Sequence, residues 1–311
     1  MQSVRVFSPA SVANVSCGYD VLGFALERPG DEVVITLNDS GRVSLDLIEG
    51  DGGHLPSDPS KNTVSSVVID YLDHIGVKQG AGISLYKKMP FGSGLGSSSA
   101  SAVGGLVAMN ELMGNRLSRL ELLPFAMEGE RVACGNAHAD NVAPALLGGL
   151  VLIRSYDPLD VVPIPVPEGL TCALVYPHVE ISTMAARQII RSSVPMSSAV
   201  KQWGNVGGLV AGFFMGDLGL IGRSMEDVIV EPVRSMLIPH FDEMRELAFG
   251  NGATGFGISG SGPTVFALCS SNEIASVVTG ALHDMLKGYG LGSTCYVSAI
   301  NRNGAIVTDF R

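Results

Sequence analysis

The sequence predicts a turn-rich globular protein of the α/β or α+β class, and three observations carry that prediction. First, 46% of the 311 residues are hydrophobic, 16% charged and 6% aromatic, which allows a large core in one domain or two. Second, glycine occurs 39 times without a collagen period or a low-complexity run. Third, short alternating runs and segments of helical spacing follow one another along the chain.

Several functional classes are excluded early. The formal net charge is −10 and the isoelectric point about 5.0, so no nucleic-acid partner is expected on a basic surface. An anionic ligand would need local donors: backbone N–H groups, a few cations or a metal. Lys87, Lys88, Arg187, Arg191 and Arg234 are the basic residues to watch in the central and C-terminal parts. The five cysteines are scattered singly with no CxxC, which argues against a disulfide framework. The opening "MQSVRVFSPAS" lacks a long apolar stretch, and no run approaches the ~18 apolar residues of a membrane span. A reduced, soluble, cytoplasmic protein without a membrane partner is expected.

The elements follow in order. Val4 to Ser8 alternates as a strand, and Asp31 to Asp39 and Arg42 to Gly50 read as two more, joined near Ser40-Gly41 as a hairpin. Gly50 to Lys61 is a loop. Asn62 to Gly76 has helical spacing and a glycine stop. Gly82 to Lys88 is a strand, Ser98 to Met113 a helix, and Leu117 to Cys134 contains another despite Pro124. Gly148 to Ser155 is a strand. Prolines cluster in Pro158 to Gly169, the weakest point of the chain, and Thr171 to Pro177 opens a second half of strands and helices. Gly255 to Cys269 reads strand, glycine turn, strand; Ile274 to Gly290 is a helix and Ser293 to Ile300 a strand.

The stretch Met89 to Gly105, "MPFGSGLGSSSASAVGG", concentrates glycine and serine just before a helix. Glycines let the backbone wrap an anion, and a helix N-terminus offers unpaired N–H donors with positive dipole. The Walker pattern fails for want of a closing Gly-Lys-Ser/Thr. The dinucleotide fingerprint fails because Ser97 sits where its third glycine belongs. A close helix–sheet crossing with a capping serine is the plain alternative. The hydroxyls of Ser97, Ser98 and Ser99 favour a phosphate or Mg²⁺ ligand.

"PFGSGLGSSSA" (Pro90 to Ala100) resembles the P-x-x-x-G-L-G-S-S-A-A signature of the GHMP kinases, and "GISGSGPTVFAL" (Gly257 to Leu268) resembles that family's second glycine-rich motif. "VFSPASVANVSCGYDVLGFAL" (Val6 to Leu26), "EGERVACGNAHADNVAPALLGG" (Glu128 to Gly149) and "EPVRSMLIPHF" (Glu231 to Phe241) are similar to the branch that phosphorylates L-homoserine. Matches run from about residue 4 to 268. Ser16-Cys17 and Ser99 depart from the usual residues of that branch.

The resemblance implies a two-layered α+β fold. Residues 1–160 would form an N-terminal GHMP kinase domain with a left-handed βαβ unit around the phosphate loop, and residues 161–311 a ferredoxin-like C-terminal domain. The substrate would lie in the cleft between them. It also implies ATP and Mg²⁺ as cofactors, and a role in threonine biosynthesis. Pro90, Phe91, Gly92, Ser93, Gly94, Leu95, Gly96, Ser97, Ser98, Ser99 and Ala100 would bind the nucleotide, with Asn62 on the nucleoside. Ser98 and Glu130 would ligate Mg²⁺. Asn14 and Asp20 would hold the amino acid, Asp20 facing its ammonium. Thr183, Arg187 and Arg234 would surround the substrate end, Arg187 forking onto a carboxylate. His138 and Asn141 would line the acceptor side, and Glu130, Asn141 and Arg187 would carry catalysis. Many relatives are dimers, although the sequence displays no clear interface.

Without the motifs these residues read differently. Asp20 begins a turn after Gly18-Tyr19, Glu130 is a surface charge, His138 is structural, Arg187 is solvated on a capped helix, and Gly257 to Gly262 is a plain hairpin. Cys134 and His138 have metal-ligand spacing but no partners. Phosphoryl transfer is mostly positioning and charge neutralisation. Asn141 stands where sister branches place an aspartate base, which implies that the phosphate or solvent takes the proton; Asp140 is the nearest carboxylate in sequence. A kinase for mevalonate or shikimate, and a non-catalytic nucleotide or metabolite sensor, are the competing functions.

Overall fold

The computed structural model describes residues 2–135 and 137–311, the side chains of residues 134 and 183–185 apart. The first part of the chain forms β1 (Ser3–Ala13), β2 (Leu22–Asn38), β3 (Val43–Glu49), α1 (Thr63–His74), β4 (Gly80–Tyr86), α2 (Ser97–Leu112), α3 (Arg119–Cys134), α4 (Ala139–Leu147), β5 (Leu150–Tyr156) and β6 (Leu159–Ile164). The second part forms β7 (Thr171–Pro177), α5 (Thr183–Gln188), α6 (Met196–Met215), α7 (Leu218–Ser224), α8 (Glu231–Arg234) with a 3-10 turn at Ser235–Leu237, α9 (Phe241–Gly250), β8 (Gly255–Ile258), β9 (Val265–Cys269), α10 (Asn272–Gly288), β10 (Ser293–Ala299) and β11 (Ile306–Phe310).

Two sheets result. The first runs β11-β1-β2-β4-β3, with β5 paired to β2 and β6 to β5; the second runs β10-β7-β9-β8. Every pairing in the second sheet is antiparallel, with helices between its first and second strands and α10 between its third and fourth. That is the ferredoxin-like order the resemblance implies. The last strand, β11, returns to pair with β1.

The apolar pattern explains the layering. Val64, Val67, Val68 and Tyr71 of α1 and Leu106 and Met109 of α2 bury against Val33, Ile35, Ile83 and Leu85 of the first sheet. On the second sheet, Leu282 and Leu286 of α10 and Met244 of α9 pack on Val265 and Ala267. A further core joins the two sheets: Phe24 meets Phe266 edge to face at 5.8 Å, and Met89, Leu95 and Ala100 from the glycine loop enter the same cluster. Each large apolar side chain fully buried there contributes about 1.5–3 kcal/mol, so the loop is anchored to the junction by its own apolar residues.

The helices start where their caps dictate. Asn62 caps α1 by accepting from the Val64 amide at 3.2 Å, and Ser118 with Glu121 forms a capping box on α3. The expected strands and helices are present at the positions read from sequence; α4, β6, β11, the helices α6, α7 and α9 and a longer β1–β2 ribbon are additions.

The expected hairpin at Ser40-Gly41 is corrected. Asn38 Oδ1 does accept from the Ser40 amide at 3.0 Å and its hydroxyl at 2.6 Å, so the chain reverses. Yet β4 lies between β2 and β3, antiparallel to the former and parallel to the latter. Turn chemistry specifies a reversal but not a partner. The long crossover through α1 is what a parallel pair requires, and its apolar face returns the chain beside β3. The proline-rich stretch also holds a strand: Pro163 sits in β6, at the edge of the sheet, where a missing N–H is tolerated.

Candidate active site

The glycine loop links β4 to α2. Gly92, Gly94 and Gly96 have φ of 66°, 82° and 68°, a region that side chains rarely enter. Space forbids side chains as well. A Cβ on Gly94 would lie 2.6 Å from the Ser259 carbonyl oxygen and 2.8 Å from that of Gly262; one on Gly96 would lie 2.3 Å from Ser11 Oγ. The two glycine-rich motifs therefore touch backbone to backbone. Ser259 Oγ donates to the Gly94 carbonyl at 2.7 Å, the Thr264 amide to the Ser93 carbonyl at 3.2 Å, and the Ser11 amide to the Leu95 carbonyl at 3.1 Å. Three consecutive carbonyls are thus held inward. Each peptide's N–H lies opposite its C=O, and among the described residues no protein acceptor takes the amides from Gly94 to Ser99. With Gly96 as the N-cap of α2, the result is a nest of donors at a helix N-terminus, suited to phosphate.

A buried ion pair braces this nest from behind. Lys87, whose side chain is 6% exposed, pairs with fully buried Asp31 and donates to the Ser97 carbonyl at 2.7 Å and Ser101 Oγ at 2.8 Å. Asp31 accepts from the Lys88 amide at 2.8 Å, the Met89 amide at 3.2 Å and Ser97 Oγ at 3.1 Å. Both ends of the loop are thereby pinned to one carboxylate. Burial pushes the Lys87 ammonium down, against the Asp31 charge. Lys87 stood out in the sequence only as a cation, and Asp31 not at all; nothing local announces a pairing across 56 positions.

Beside the nest, Ser98 Oγ donates to Glu130 Oε1 at 2.7 Å. Glu130 is buried, not the surface charge its helix suggested, and burial pushes its carboxyl up against the Ser98 and Ser99 hydroxyls and the Lys87 charge. A carboxylate and a hydroxyl side by side are hard oxygen donors. They fit Mg²⁺, which takes few protein ligands and completes its shell with phosphate and water.

The acceptor side gathers residues from both halves. Arg187 of α5 donates to Asp20 Oδ2 at 2.5 Å and meets His138 Nε2 at 2.6 Å. A guanidinium only donates, so His138 Nε2 accepts and Nδ1 carries the proton, 3.8 Å from Asp20 Oδ2. Burial lowers the His138 pKa, opposed by Asp20 and aided by Arg187. Buried Arg234 donates to the Ala186 carbonyl at 3.2 Å and the Gly260 carbonyl at 2.9 Å. Asn14, in the left-handed region at φ 69°, donates to the same Gly260 oxygen at 2.8 Å and accepts from the Asp20 amide at 3.0 Å. Tyr19 lies under both guanidinium groups, 5.7 Å from Arg187 and 5.1 Å from Arg234. Asn141 Oδ1 accepts from Ser11 Oγ at 2.8 Å beside Gly96. Neighbouring Asp140, 4% exposed, has its carboxyl pushed up to about 7 by burial and by the charges of Asp20 and Glu130.

The structure thus brings together Asn14, Asp20, Ser98, Glu130, His138, Asn141, Arg187 and Arg234 around the loop from Pro90 to Ala100. Thr183 opens α5, but its side chain lies outside the described residues, as does that of Cys134. Asn62 is not presented to the cleft: its side chain is 2% exposed, caps α1 and donates to the Pro56 carbonyl at 2.9 Å. Sequence reading missed Asp31, Tyr19, Ser11, Ser259 and Tyr156, whose hydroxyl donates to the Asp20 carbonyl at 2.7 Å. Tyr19 and Ser259 lie inside the recognised motifs; Tyr156 carries no local signal.

Comparisons with known proteins give the family. A family profile described as GHMP kinases N terminal domain matches residues 62–149, and one described as GHMP kinases C terminal matches residues 208–288. The chain is 50% identical to a homoserine kinase of Chlorobium phaeobacteroides over 99% of its own length and 100% of that protein. It is 56% identical to a homoserine kinase of Cytophaga hutchinsonii solved by crystallography, with a TM-score of 0.96 over 98% and 97% of the two chains. A crystal structure of L. major mevalonate kinase in complex with R-mevalonate shares the fold at 16% identity, with a TM-score of 0.72 over 94% and 95% of the chains.

Two predictions come from this geometry. Gly94→Ala would force a side chain against two backbone carbonyls; the expected loss is about 1–3 kcal/mol of stability together with weaker ATP binding, read by thermal unfolding with and without nucleotide. Lys87→Met would leave Asp31 buried without its counter-charge and cost about 3–5 kcal/mol, measured by chemical denaturation.

Proposed function

The chain belongs to the GHMP kinase family, in its homoserine kinase branch, and from that premise we propose how the cleft moves the γ-phosphoryl group of ATP to the side-chain hydroxyl of L-homoserine, giving O-phospho-L-homoserine and ADP on the way to threonine. The observation that carries the substrate assignment is the paired charge at the acceptor side. An α-amino acid holds an ammonium and a carboxylate on one carbon. Asp20 and Arg187 stand side by side with Arg234 as a second cation nearby. A zwitterion inserted there exchanges one ion pair for two, its ammonium on Asp20 and its carboxylate on Arg187 and Arg234. Asn14 holds the Asp20 backbone, His138 orients Arg187, and Thr183 opens the helix that carries Arg187.

The triphosphate takes the amides of the glycine loop. Exposed Phe91 stacks on His54 at 5.4 Å, and this pair offers the nucleoside a flat apolar face at the loop's rim. Asn62 then serves the nucleoside indirectly, by shaping the loop that bears His54. Ser98 and Glu130 hold Mg²⁺, which neutralises phosphate charge when bound. Asn141 has its oxygen engaged by Ser11, so its NH₂ is left to orient the acceptor hydroxyl. Catalysis is then largely alignment and charge stabilisation.

The expected boundary near residue 160 falls inside β6 of the first sheet, so we place the division of the two units between β6 and β7, with β11 returned to the first unit, and the enzyme in the cytoplasm. Cys17, Cys172, Cys269 and Cys295 are free thiols, and among the described residues no helix is long and apolar enough to cross a membrane. A homodimer is the proposed assembly.

The test is direct. Mg-ATP is incubated with the chain and L-homoserine, L-serine, L-threonine, mevalonate or shikimate, and phosphorylated product is followed with ADP. Product from L-homoserine alone is expected; turnover of another alcohol, or of none, overturns the assignment. Arg187→Ala is expected to raise KM for L-homoserine about 10–100-fold while KM for ATP changes little.

A further inference from the structure

Along the inner face of α6, Val206, Leu209 and Phe213 enter the core between the two sheets at helical spacing. One turn toward the N-terminus, the same stripe holds Gln202 instead of an apolar side chain, and it is 7% exposed. A buried amide is costly unless its hydrogen bonds are made. Here three are made. Gln202 Nε2 donates to the Cys17 carbonyl at 2.7 Å and to Asp227 Oδ1 at 3.0 Å, and Oε1 accepts from the Val228 amide at 3.0 Å. Two acceptors on one side and a donor on the other leave the amide a single orientation.

The segments it joins are the two that frame the amino-acid pocket. One is the turn from Asn14 to Asp20. Asn14, Val15 and Ser16 have φ of 69°, 42° and 60°, a left-handed run that non-glycine residues keep only where the surroundings enforce it. The Cys17 carbonyl follows that run directly. The other segment leads into α8. Asp227, 6% exposed, accepts from the amides of Ile229 at 2.9 Å, Val230 at 3.0 Å and Glu231 at 2.9 Å, and so sets the turn that carries Arg234. Asn14, Ser16 and Tyr19 face Asp227, Glu231 and Arg234 across one small cavity. Lys201 and Asn205 of α6 also hold the second segment, through Glu226. Among the described residues, Gln202 is the one side chain of α6 that hydrogen-bonds to both segments.

Resting on the proposed function, we propose that Gln202 is a positioning residue for substrate recognition: it fixes the span between Asp20, which takes the ammonium, and Arg234, which takes the carboxylate. The two charges of an α-amino acid stand at a set separation, so the side chains that meet them must stand at a set separation too. Gln202 acts through the Cys17 carbonyl and the Asp227 carboxylate from behind the pocket. Tyr19 lies on the first segment and under the Arg234 guanidinium of the second, 5.1 Å from it, so a slackened tie displaces both walls of the head-group site while the glycine loop keeps its own contacts.

The experiment is steady-state kinetics of the full chain with Mg-ATP and L-homoserine, each KM taken at saturation of the other substrate, beside thermal unfolding, for the wild type and Gln202→Met. Methionine keeps the length and the packing and removes all three hydrogen bonds. The expected result is a KM for L-homoserine about 5–30-fold higher, with KM for ATP within about twofold and kcat changed far less than KM for L-homoserine. A lower melting temperature with both KM values unchanged assigns Gln202 to stability alone and overturns the proposal, as does an equal rise in both KM values. If Gln202→Met folds poorly, Gln202→Asn decides, because its amide is one methylene too short to span both acceptors: the same split supports the role and an unchanged KM for L-homoserine refutes it. Wild-type turnover of a different alcohol would remove only the homoserine assignment, and the tie would then stand or fall on the same split in that alcohol's KM.

Discussion

The backbone contact between Gly94 and the Ser259–Gly262 turn is the constraint on which the site depends. One glycine-rich segment comes from each half of the chain, and Gly94 has no room for a Cβ at the point of contact. Because the Ser93, Gly94 and Leu95 carbonyls are consumed there and at Ser11, the amides of the loop are turned to the other side. The anion nest therefore exists only when the two halves are packed together. The shared apolar core through Phe24, Leu95 and Phe266 supplies the packing, and the same interface brings Arg187 and Arg234 to Asp20.

Charge is distributed by burial rather than by number. The chain carries a net charge of −10, yet it offers a polyphosphate a site without a surface of lysines. Lys87 stands behind the loop, neutralised by Asp31, and acts by fixing peptide dipoles. Under the proposed function, main-chain donors in front meet the ligand. Two acidic groups of the cleft have different environments: Asp20 beside a guanidinium and Glu130 beside hydroxyls.

Much of this was legible in the sequence, and the limits have physical causes. The two glycine motifs were readable because positive φ and close approach demand glycine, a residue-level requirement that leaves a mark. Ser98 with Glu130, and Asp20 with Arg187, were reached through the family's motifs, since their spacing of 32 and 167 positions carries no local signal. The Asp31–Lys87 brace was invisible for the same reason. Residues 38–42 do reverse the chain, but pairing was decided by the apolar face of α1, which returns β4 between the two strands. Asn62 has the residue type of a ligand contact, while its side chain caps α1 and donates to the Pro56 carbonyl. Capping chemistry and ligand binding favour the same residue types, so the sequence alone does not separate them.

The most direct measurement is a crystal structure of the chain with Mg²⁺, a non-hydrolysable ATP analogue and L-homoserine. The account predicts the triphosphate on the amides of residues 94–99, the metal between Ser98 and Glu130, and the amino acid parting Asp20 from Arg187, with its hydroxyl within reach of Asn141. A triphosphate bound away from the loop, or an Asp20–Arg187 pair left intact with the amino acid elsewhere, would contradict it.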